Sequence, residues 1–183
     1  MHVERTTTIA RPIDEVFEYV STPENDPTWV SASLRHERKT PGPMRVGTTT
    51  EEDVRFLGRT ATYTWEVTEY EPPTVVAYRA TSGLLPGAVV RLRLEPVEGG
   101  TRLGHAVDIE PRGIYYKAMA PVMPWVTGRL IDGLDRTLKG LLEGETTGSS
   151  SQMPGRVAAG AVLAGFFAFF LLLRRCNHSA RRW

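Results

Sequence analysis

Between residues 34 and 110, six stretches alternate apolar with polar side chains and are joined by short, turn-forming connectors. The stretches are 34–39, 48–57, 59–71, 74–81, 88–96 and 101–110, and the connectors include TPGPMRVG, Leu57-Gly58, Glu71-Pro72-Pro73, LLPG and Glu98-Gly99-Gly100. Alternation at period two with short links specifies an antiparallel meander. A seventh strand, 3–9, precedes it. Pro12 then opens a short helix, IDEVFEYV, with Ile13, Val16, Phe17 and Val20 on one face. A second short helical turn is expected around 23–29. The last element is 114–142, where Pro121 and Pro124 predict a kink or break. From Trp125 onward, Val126, Leu130, Leu134, Leu138 and Leu141 recur at helical steps, and Gly144 supplies a stop.

A sheet of six or seven strands at about 4.8 Å spacing is about 30 Å across, and one helix is about 10 Å wide. The terminal helix is the one element long enough to cover the sheet. It cannot fill that area, so the sheet must curl around it and a cavity between them is expected. The fold class is therefore α+β.

Alternation assigns the strand faces. Ala61, Tyr63, Trp65 and Val67 share one face, opposite Thr60, Thr62, Thr64 and Glu66. Ala88, Val90, Leu92 and Leu94 face inward, as do Leu103, His105, Val107 and Ile109. Val76 and Tyr78 are placed inward, and Val54 and Phe56 carry Glu52 inward with them. The expected ligand-lining set is Tyr63, Trp65, Tyr78, Val90, Leu92, Leu103, His105 and Val107, with Met119, Met123, Trp125 and Leu130 from the terminal helix. Tyr, Trp and His offer an apolar body with one polar handle, and Met adapts to irregular shapes. For the aliphatics, plain core packing is the commoner role. An isolated buried histidine such as His105 is also more often structural than a ligand contact.

No HExxH, GxSxG, Walker loop or GxGxxG after a strand is present, and the one cysteine is Cys176. No cofactor, metal site or catalytic residue is assigned. Glu51-Glu52-Asp53 reads as a solvated strand edge. Residues 1–150 hold all 21 acidic residues and 17 of the 22 Lys+Arg, a net charge of −4 that argues against nucleic-acid binding.

Residues 144–156 read as a flexible linker, which leaves a folded body over 1–143. Residues 157–173, VAAGAVLAGFFAFFLLL, contain no polar side chain and would span about 25 Å as a helix. They are expected to form a single-pass membrane anchor, followed by a basic tail at 174–183. With no secretion signal in view the folded domain is expected in the cytoplasm, whereas Arg174, Arg175, Arg181 and Arg182 beyond the run favour the opposite orientation. No oligomeric state is implied.

Three segments carry a family resemblance. The opening VERTTTIARPIDEVFEYVSTPENDPTW resembles the start of SRPBCC (START-like, polyketide cyclase/dehydrase) proteins. FLGRTATYTWEVTEYEPPTVVAYRATSG resembles their paired strands and turn, and LRLEPVEGGTRLGHAVDIEPRG resembles their last hairpin. The resemblance covers about residues 2–143 and implies a helix-grip fold, a curved antiparallel sheet around a long C-terminal helix with a hydrophobic cavity. Such proteins bind lipids, sterols, quinones or polyketide intermediates, and some are aromatase/cyclases.

Three functions follow as expectations. The first is membrane-tethered binding of a hydrophobic small molecule. The second is a cyclase or dehydratase assisted by Tyr63, His105 or Arg79. The third is a stress or partner-interaction protein with a vestigial cavity.

Overall fold

The computed structural model describes residues 1–56, 58–110 and 121–144, all within the compact unit Met1–Thr146. Seven strands form one antiparallel sheet: β1 (His2–Ile9), β2 (Ser33–Arg38), β3 (Thr49–Phe56), β4 (Arg59–Glu71), β5 (Val75–Ala80), β6 (Val89–Val97) and β7 (Gly100–Asp108). Their order across the sheet is β1-β7-β6-β5-β4-β3-β2, a meander from β2 to β7 closed by β1 on the outer side of β7. The long link from β1 to β2 holds α1 (Ile13–Val20), a 3-10 turn (Pro23–Asn25) and α2 (Asp26–Trp29). One long helix, α3 (Met123–Glu143), follows the sheet. The α+β helix-grip arrangement is therefore present.

Val16, Phe17 and Val20 of α1 pack with Ile9, Val67, Val76, Leu92, Leu94, Leu103 and Leu138 into the main core. Ladder register confirms the inward faces. Trp65 lies opposite Thr50 and Ala80, Tyr78 opposite Val67 and Val90, and Leu92 opposite Val76 and His105.

The kink or break expected at Pro121 and Pro124 falls where the chain turns at 121–122 before α3 begins, with 114–120 outside the described residues, and Pro124 does not interrupt α3 itself. The proline sits in the first turn of α3, where a missing N–H costs nothing. The buried face is also rotated from the one expected. Gly128, Ile131, Asp135, Leu138 and Leu142 face inward at heptad spacing, while Leu130 is 63% exposed and Leu141 also faces solvent.

The reason for the rotation is chemical. The buried stripe includes an acid and a glycine, which hydrophobic periodicity passes over. Asp135 Oδ1 pairs with His105 Nδ1 of β7 at 3.1 Å, tying helix to sheet. Gly128 leaves room for the Arg5 guanidinium, which reaches Asp132. The backbone of α3 comes near β1 and α2, and its Leu138 and Leu142 join the core formed on β4 to β7.

Residues 157–173 and Met119 lie outside the described residues. Among the described residues no helix is long and apolar enough to cross a membrane.

Candidate ligand site

The inward face of the sheet divides into two halves of different chemistry. On β5, β6 and β7 it is apolar: Val76, Leu92, Leu94 and Leu103 are buried, and Val90 and Val107 are half-buried. On β2 and β3 it is polar: Ser33, His36, Thr50 and Glu52 are all buried. β4 lies between them and carries the aromatic pair. The Tyr63 and Trp65 rings stack at 5.4 Å with planes 11° apart. Trp65 touches both the main core and a second apolar cluster around Tyr63, Ala80, Ala88 and Ile109.

Trp65 joins the halves chemically as well, since its Nε1–H donates to Glu52 Oε2 at 2.9 Å. Burial pushes the Glu52 carboxyl above its ordinary range, with nearby His36 pulling the other way. Burial also raises the Asp26 carboxyl, which α2 aims at His36. His36 Nδ1 lies 2.6 Å from Asp26 Oδ2, and its Nε2 lies 2.7 Å from Thr50 Oγ1. The ligating atoms of Asp26, His36 and Glu52 all lie within 4.8 Å of one another, a set able to hold a metal ion.

Each strand reaches this arrangement by a local rule. A register shift between Ser33 and Arg35 in β2 lets Ser33 and His36, three residues apart, share the inner face. In β3 simple alternation turns Glu52 in and its neighbours out. Glu51 and Asp53 pair outside with Arg35, and Glu51 also meets Lys39 at 3.0 Å. The expected solvated edge is correct for Glu51 and Asp53 but not for Glu52, which is 6% exposed.

Eight of the expected lining residues, Tyr63, Trp65, Tyr78, Val90, Leu92, Leu103, His105 and Val107, fall on the inner face of the sheet. Met123 is half-buried at the start of α3. Trp125 and Leu130 are not among the interior residues. Trp125 is 55% exposed and lies under the Arg129 guanidinium, 5.2 Å from its ring centroid. Arg79, expected to assist protonation, stands opposite Glu66 on the outer face and is exposed.

His105 is held by Asp135, with Trp29 edge-on at 6.3 Å, and so serves as a structural tie. Tyr78 is buried against Ser21, and burial raises its phenol. Asp26 and His36 were not singled out from sequence. Their one signal was the alternation that sends Glu52 inward, because a buried carboxyl requires partners.

A cavity of about 290 Å³ opens at the far end of β4, lined by Phe17, Ser21, Pro23, Met44, Tyr70 and Pro72 among others. It contains none of the residues expected to line the ligand site.

The loop after β5 caps the aromatic pair. Gly83 has φ +107°, and a Cβ there would meet Tyr63 Cδ1 at 2.5 Å. Gly83→Ala is therefore expected to destabilise by about 1–3 kcal/mol and to displace the Tyr63 ring. Near-UV circular dichroism and thermal melting check this, since an unstrained site would change neither.

A curved antiparallel sheet gripping one long helix, with an aromatic and apolar inner face, defines the helix-grip class. No curated protein matches the chain. The chain belongs to the polyketide cyclase / dehydrase and lipid transport family, whose model matches residues 1–143.

Solved structures agree on the fold. A START superfamily protein from Mycobacterium smegmatis is similar at TM-score 0.66 and 18% identity, over 79% of this chain and 99% of that one. Ginseng major latex-like protein 151 from Panax ginseng is similar at 0.64 and 11%, over 78% and 97%. The di-domain ARO/CYC StfQ from the steffimycin biosynthetic pathway is similar at 0.63 and 18%, over 79% of this chain and 51% of that one.

Proposed function

We propose that the chain binds a hydrophobic small molecule between the inner face of its sheet and α3, and that residues 157–173 tether it to a membrane. The observation that carries the binding reading is incomplete coverage of an inward apolar surface. Val54, Trp65, Val90 and Val107 point inward yet are only half-buried, whereas Val67, Val76, Leu92 and Leu94 on the same face are packed in the core that α1 and Leu138 join. An apolar surface left part-open inside a fold is stabilised by a ligand that removes it from water, at about 25 cal/mol per Å². Family membership supports the same reading, and the Trp65 indole adds a polar handle beside it.

The tether rests on the sequence of 157–173 and would keep the domain at high effective concentration over membrane-dissolved ligands. The cytoplasmic face is the side proposed for the domain.

Native mass spectrometry of the full chain in mild detergent, with organic extraction, tests the binding. A co-purifying apolar molecule in near-stoichiometric amount is the expected result. Empty protein that retains none of a panel of lipids and quinones would contradict it. For the tether, recovery of the full chain in the soluble fraction would be the contradicting result.

A further inference from the structure

The polar half of the inner face has a chemistry that an apolar guest does not require. We propose that Asp26, His36 and Glu52 form a binding site for a divalent transition-metal cation. Three different elements deliver them: α2 supplies Asp26, the register shift in β2 supplies His36, and alternation in β3 supplies Glu52.

The donor set is one imidazole nitrogen and two carboxylates, which suits Zn²⁺, Mn²⁺ or Fe²⁺. The ligating atoms lie within 4.8 Å of one another. One ion with bonds of about 2.1 Å holds its ligands at most about 4.2 Å apart, so closure around it needs less than an ångström of side-chain movement.

The surroundings are already arranged as an outer shell. Thr50 Oγ1 engages His36 Nε2, which fixes the ring and leaves Nδ1 facing Asp26. The Trp65 indole holds Glu52 Oε2. Among the described residues, His36 is the one basic side chain within ion-pair distance of either carboxyl. The nearby cations Arg35 and Lys39 are spent on Glu37, Glu51 and Asp53 outside.

A second observation points to an occupant between these groups. The Trp29 Nε1 and Ser33 Oγ atoms, on residues only 4% and 6% exposed, make no hydrogen bond of good geometry, and they face the carboxyls of Asp26 and Glu52 respectively. Trp29 closes α2, the helix that begins with Asp26, and Ser33 shares the inner face with His36 and Glu52. Buried polar atoms are nearly always satisfied in native proteins. An ion carrying a water or hydroxide supplies a partner for both: the hydroxyl can ligate or bond the bound oxygen, and the indole can donate to it.

The test uses the full chain in mild detergent, stripped with EDTA and titrated with Zn²⁺ and Mn²⁺ by calorimetry. One equivalent is expected to bind. Asp26→Asn and Glu52→Gln should each weaken binding by at least the roughly 10–100-fold that outer-shell changes cost. Glu51→Gln, on the outer face, should leave it unchanged.

Wild-type protein supplies a readout that does not depend on the variants folding. Substoichiometric Mn²⁺ should broaden the Trp29 and Trp65 indole N–H resonances before that of Trp125. Absence of saturable binding, binding that survives both variants, or broadening confined to other sites overturns the proposal.

Discussion

Replacing Leu138 with alanine is expected to cost about 2–5 kcal/mol, whereas replacing Leu130 should stay within about 0.5 kcal/mol. Both are leucines of α3, and sequence periodicity places them on one stripe. The structure separates them: Leu138 is 0% exposed in the main core against Leu92, Leu94 and Leu103, and Leu130 is 63% exposed. Truncating Leu138 removes apolar burial and leaves a cavity that the two-sided packing of helix and sheet cannot collapse. For a domain of this size the Leu138→Ala melting temperature should fall by roughly 10 °C. Thermal melting of the two variants side by side checks the helix rotation directly, and equal losses would mean that the face is wrong.

Replacing Trp65 with alanine is expected to weaken binding of an apolar probe by about 10–100-fold. That range corresponds to the roughly 1.5–3 kcal/mol of burying one large apolar side chain. Trp65 is stacked on Tyr63, half-buried, and in contact with both apolar clusters, so a guest lying on the inner face must meet it. Trp65→Phe separates packing from polarity. It should keep most of the affinity but lose stability by about 1–3 kcal/mol, because buried Glu52 then lacks its indole donor. Fluorescent-probe titration and denaturant melts read the two effects independently.

These residues also show where sequence reasoning succeeds and where it stops. Period-two alternation is a local property, and it placed Tyr63, Tyr78, Leu92, Leu103 and His105 inward without knowledge of the ladder. Helix phase is also local, but it was read from hydrophobic residues alone. The inward stripe of α3 instead carries Gly128, which accommodates Arg5, and Asp135, which bonds His105 across 30 residues of chain.

The Asp26, His36 and Glu52 cluster had no compact motif to find. Its members come from a four-residue helix, a strand with a register shift and a regular strand, and only tertiary folding brings them together. The width argument anticipated that one helix leaves part of the sheet uncovered. The side chains of α1 and Leu138 of α3 bury Val67, Val76, Leu92 and Leu94 on the middle strands, and the inward residues left half-buried are Val54, Trp65, Val90 and Val107.

The most direct measurement is methyl NMR of the full chain in detergent, with labelled valines and leucines, titrated with an apolar ligand recovered by extraction. If the inner face of the sheet is the binding surface, saturable shifts should appear at Val54, Val90 and Val107. The exposed Leu34, Val46 and Leu130 should stay unmoved. Shifts confined to those exposed methyls, with the three inward valines silent, would contradict it.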